Sequence, residues 1–184
     1  LAMGSAADIR DISSIYINTN LAAAGGVVAA IILTQVLYKK VDLTMALNGA
    51  LGGLVAVTAE PLAPSPAIAV FVGAIGGVLV VLSVPLLDKL KVDDVVGAIP
   101  VHLVAGIWGT IAVVFSNGDA SLVTQIIGIV AIGAFVLVTT GIVWTILKMT
   151  IGIRASEEEE FSGLDQAECG LEAYPEFGQG AQSM

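Results

Sequence analysis

Charged residues in this 184-residue chain fall in clusters. Between the clusters lie apolar stretches of about twenty residues, the length a helix needs to cross a hydrocarbon core about 30 Å thick. That pattern predicts an all-α fold, a polytopic membrane helix bundle. Composition points the same way: 57% of residues are hydrophobic and 12% are charged, about half the charge of an ordinary globular domain. A soluble enzyme and a disordered chain are both excluded on these grounds. A nucleic-acid partner is excluded by the net charge of −9, which repels phosphate. With one cysteine, Cys169, and one histidine, neither an internal disulfide nor a Cys/His metal site is expected, and no cofactor is called for.

Five stretches read as transmembrane spans, at about residues 15–38, 43–59, 67–87, 95–115 and 122–153. Pro61, Pro64 and Pro66 break the chain between the second and the third, since proline cannot continue a helix. The fifth stretch, about 48 Å long as a helix, must tilt or run on past the bilayer. Alternating spans place Lys39, Lys40, Lys89, Lys91, Lys148 and Arg154 on one side and leave Arg10 alone on the other. Cations collect on the cytoplasmic side. The expected organisation is therefore an extracytoplasmic lead-in at 1–14, a transmembrane helical domain at 15–154 and an acidic cytoplasmic tail at 155–184. The start shows no basic region of a signal peptide and no initiating Met, so a longer parent chain is expected.

The tail holds eight acids and no base, which accounts for nearly all of the net charge. Phe161, Leu164, Leu171, Tyr174 and Phe177 are scattered among those acids, so the tail is expected to dock on the cytoplasmic face rather than only to solvate it.

Glycine is concentrated inside the spans. The pairs Gly49/Gly53 and Gly73/Gly77 are spaced four residues apart, which sets both members on one helix face and allows another backbone to come close. His102 is the one ionisable group well inside a span, where such a group usually faces a cavity or a partner. By helical spacing it shares a face with Ala98, Ile99, Ala105 and Gly106, a small and apolar wall that suits a narrow, mostly dry pathway. The alternative is a histidine bonded to a neighbouring helix for packing alone. Asp94 reads as the N-cap of the fourth span, with Asp93 as its solvated neighbour. Asn18, Thr19, Asn20 and Asn48 are expected to bond between helices. Trp108 and Trp144 fit either interface anchors or packing residues.

The run Lys91-Val92-Asp93-Asp94-Val95-Val96-Gly97-Ala98-Ile99-Pro100-Val101-His102, followed by Gly106-Ile107-Trp108-Gly109, resembles the signature of the Amt/Mep/Rh ammonium transporters. Ile17 to Ala24, Leu47 to Val55, Gly163-Leu164-Asp165 and Glu172 to Phe177 resemble further segments of the family, in the same order. The resemblance implies an eleven-helix, N-out and C-in protein that assembles as a homotrimer with one pore in each subunit. This chain would be its C-terminal portion, the last five helices, and the missing N-terminal half of the fold would complete the pore. His102 would be the second of the family's twin pore histidines, carrying ammonium/ammonia across the cell inner (plasma) membrane. An imidazole suits the task, because one nitrogen donates while the other accepts.

The family's cytoplasmic face can bind a PII-type signalling protein. Val95, Leu103 and Cys169 stand where many members have Pro, Gly and His. Two other readings stay open on these residues: a membrane structural or sensor subunit that signals through its tail, and a neutral-gas channel of the Rh type.

Overall fold

In the computed structural model, residues 4–63 and 65–171 are described, and every regular element among them is helical. The chain divides into one unit at 1–132 and another at 133–184. Helix α1, Ala6–Tyr38, begins well before its apolar stretch. Ser5 and Asp8 form a capping box there, each side chain accepting from the other's backbone N–H, so a polar segment can open a membrane helix that hydropathy alone cannot see starting. Asp42 caps α2, Leu43–Val57. Ser65 caps α3, Pro66–Lys89, whose proline at the first turn gives up an N–H that would have had no partner there. A π-helical segment, Ile99–Val104, leads into α4, Ala105–Ser116.

Four of the five expected spans are long and apolar enough to cross a membrane: Ala6–Tyr38, Pro66–Lys89, Ile99–Ser116 and Leu122–Thr150, the last being α5. The second is shorter than expected. At 15 residues α2 extends about 22 Å at 1.5 Å per residue, because turns at Thr58 and Glu60 end it before its apolar composition does. It is enclosed by protein more than the others, with buried residues from Ala46 to Val57.

Contacts along the first unit run up, down, up and down. Ala22 meets Gly53 while Gly26 and Ala30 meet Gly49, so α1 and α2 are antiparallel; Ala22 meets Gly73 and Gly26 meets Gly77, so α1 and α3 are parallel. Both four-residue glycine pairs therefore turn toward α1. A β-carbon built on Gly49 would lie 2.8 Å from the Gly26 carbonyl oxygen and 2.6 Å from the Ala30 Cβ. One on Gly76 would lie 2.6 Å from the Gly52 carbonyl oxygen. Three helices thus approach backbone to backbone, which is how helices gain packing energy in lipid, where neighbouring acyl chains are as apolar as Leu. A small cluster of Val80, Val101 and Ala105 then seats the π segment and the start of α4 on α3.

The second unit contains the remainder of α5 and the short helices α6, Glu157–Ser162, and α7, Leu164–Cys169. Throughout its length α5 buries no residue. Ser156 caps α6 and donates through both its backbone N–H and its hydroxyl to Glu159, which holds that carboxyl below the ordinary glutamate range. Phe161 and Leu171 are exposed. Tyr174 and Phe177, on which the docking expectation also drew, lie outside the described residues.

Gly73→Ala should drive its new methyl into the Ala22 backbone and separate α1 from α3, at an overpacking cost of about 1–3 kcal/mol. Gly118→Ala, which meets nothing within 4 Å, should be neutral. Thermal unfolding of the two variants in detergent checks the pair. Equal melting temperatures would contradict the close approach.

Candidate functional site

Backbone accounting explains the conformation around His102. Gly97 is buried and sits at φ +76°, a left-handed turn that redirects the chain out of the 91–96 loop. Beyond it, the first amides of the helical segment have no carbonyl behind them. Asp94 satisfies two of these: its Oδ1 accepts from the Ala98 N–H and its Oδ2 from the Ile99 N–H, each at 2.8 Å. Pro100 has no N–H to satisfy, and Val101 donates to the Gly97 carbonyl at 3.1 Å. Asp94 therefore does cap the fourth span, but across four and five residues rather than the two or three of a simple N-cap. Asp93 is exposed.

Asn48 braces the same turn from α2. The residue is 8% exposed, and its Nδ2 donates to the Val96 carbonyl at 2.9 Å. A β-carbon on Gly97 would stand 2.7 Å from that nitrogen, so only glycine lets Asn48 reach. Asn18 makes another long-range tie, from α1 to the Pro61 carbonyl, while Asn20 turns back to Tyr16 on its own helix. At the far end of α4, the Ser116 hydroxyl donates to the Glu60 carboxylate.

His102 lies inside the π segment, where the Ala105 N–H reaches back five residues to the Pro100 carbonyl. A π turn holds more residues than the 3.6 of an α turn, and such turns recur at functional sites. The widened turn changes which residues accompany His102. Val101 and Ala105 face inward at 2% and 0% exposure, whereas His102 and Leu103 are exposed, as is Ala98. Ile99 and Gly106 are half-buried. The wall read by α-helical spacing thus separates: Ala98, Ile99 and Gly106 keep some exposure, and Ala105 belongs to the core with Val80. The extra residue in the turn rotates the third position after His102 away from its face.

Among the described residues no hydrogen bond joins His102 to another helix, the bond a packing residue would make. Trp108 is such a packing residue. Its Nε1 donates to the Val72 carbonyl of α3 at 3.0 Å. Trp144 is exposed on α5. Sequence reading missed the π turn and the lasso formed by Asp94, Gly97 and Asn48; the Gly-x-x-Pro spacing of Gly97 and Pro100 was the available signal.

The family model described as Ammonium Transporter Family matches residues 2–174. The ammonium transporter Amt2 of Archaeoglobus fulgidus is 40% identical over an alignment covering 94% of this chain and 41% of that protein. The ammonium transporter of Bacillus subtilis is 34% identical, covering 86% and 43% respectively. This chain therefore spans about two-fifths of the length of these relatives. A solved structure named Sensor Amt Protein superposes with a TM-score of 0.80 at 30% identity, over 86% of this chain and 42% of that one.

Trp108→Phe keeps most of the ring and removes one hydrogen bond, so it should cost about 0.5–1.5 kcal/mol of stability. A lowered melting temperature would show the packing role. An unchanged one would return Trp108 to the interface-anchor reading.

Proposed function

The chain belongs to the ammonium transporter family, a family of multi-pass membrane proteins, and on that premise we propose that it supplies the His102-bearing part of a pathway for ammonium/ammonia. The observation that carries the proposal is the placement of His102: exposed on a π turn, within an apolar span, beside small and apolar neighbours. A neutral imidazole has one N–H and one lone pair. Ammonia has three N–H groups and one lone pair, so His102 can hydrogen-bond it in either sense as it passes. The apolar surroundings make the charged ion costly there and favour the neutral molecule. If ammonium is what enters such a path, its proton has to be left at the entrance or relayed through the imidazole, so that ammonia crosses the apolar stretch.

The same reading has the protein in the plasma membrane as a homotrimer with its C-terminus in the cytoplasm, where the tail 155–184 contacts the cytoplasmic loops and couples the protomers, on a face that can bind a PII-type signalling protein. Support for the orientation comes from the six cations on one side of the alternating helices. A second reading, ammonium sensing, is favoured by the similarity to the structure named Sensor Amt Protein. Uptake separates the two, since a sensor binds ammonium without accumulating it.

In the full-length gene product, His102→Ala should lower methylammonium uptake per folded molecule by at least about tenfold, the scale of a lost proton-transfer or positioning group. Unchanged uptake would sink the pathway. For orientation, Cys169 is exposed, so with any cysteines elsewhere in the gene product replaced it should react with a membrane-impermeant maleimide in inside-out vesicles and not in intact cells. Labelling in intact cells would reverse the topology.

A further inference from the structure

We propose that Asp94 and Asn48 are positioning residues for His102, holding the π turn in the register that presents its imidazole to the pathway. The proposal rests on the pore reading of His102 given above. Its ground is a set of contacts that converge on the five residues before the π segment. Asp94 grips the Ala98 and Ile99 amides, four and three residues before His102. Asn48 holds the Val96 carbonyl from a different helix, so the turn is fixed to α2 as well as to its own strand of chain. Gly97 joins the two grips, since a side chain there would displace Asn48. On the other side, Val101 and Ala105 are pinned against Val80.

This arrangement does something that a simple cap does not. A π turn is one residue out of step with the α-helix, and a helix that starts one position earlier or later carries His102 round to a different face. Asp94 fixes where the helical amides begin, Asn48 fixes the height of the loop against α2, and the buried Val101 and Ala105 fix the rotation. Within the described residues, what bears on the direction of His102 is its backbone, which Asp94 and Asn48 hold.

Two variants of the full-length gene product test this against a merely structural role. Asn48→Ala removes the brace to Val96. Asp94→Asn keeps one acceptor oxygen and sets an amide N–H₂ against the second backbone donor. With uptake normalised to folded protein recovered by size-exclusion chromatography, each should lower turnover roughly ten- to hundredfold, as misplacement of a working group does, while the half-saturation concentration for methylammonium stays unchanged. A structural role alone changes the amount of folded protein and leaves turnover per folded molecule at the parent value. That result overturns the proposal, as does failure to recover either variant folded. Uptake insensitive to His102→Ala sinks the underlying pore reading instead, whereas uptake that requires His102 but ignores both variants sinks only the positioning.

Discussion

Contact between bare backbones holds the first unit together. Gly26 lies against Gly49 and Gly77, Gly53 and Gly73 both lie against Ala22, and Gly52 lies against Gly76, so three helices share faces that leave no room for a methyl group. In lipid this closeness replaces the hydrophobic effect as the source of association. It also explains how a helix as short as α2 is accommodated. One face of α2, with Ala46, Gly49, Gly53 and Ala56, is buried against its neighbours while Leu47 and Leu51 stay exposed, so its length is matched to protein on that face rather than to the thickness of the bilayer.

From that packing follows the geometry around His102. The position of α2 sets where Asn48 can reach the 94–98 turn, and the position of α3 sets where Val80 receives Val101 and Ala105. Between these two supports the chain carries out a left-handed turn at Gly97, a double cap by Asp94 and a π turn through Pro100. Proline contributes twice. It has no amide to satisfy at the crowded helix start, and its carbonyl accepts the bond from Ala105 that defines the wide turn. The direction of the imidazole follows from these constraints on its backbone.

Much of this was legible in the residues. Apolar runs between charge clusters located the helices, the glycine spacing marked the faces that meet, and Asp94 announced a cap. What could not be read has physical causes. The start of α1 is fixed by hydrogen bonds between Ser5 and Asp8 in a polar segment, and the end of α2 by turns in a segment whose composition is still partly apolar. The companions of His102 were assigned with a period of 3.6, which a π turn violates, and so Ala105 was placed beside the imidazole although it belongs to the core. Asn48 was expected to bond between helices, yet its partner, the Val96 carbonyl, lies in a loop 48 residues away and no spacing rule points to it.

The central claim is that His102 is held, by a π turn fixed from its own chain and from α2, facing a narrow pathway through the protein. A cryo-electron-microscopy map of the full-length gene product tests this most directly. The account predicts density for the Pro100–Ala105 π turn and an imidazole bordering a continuous, mostly apolar channel. A regular α-helix through residues 97–106, or an imidazole facing lipid, would contradict it.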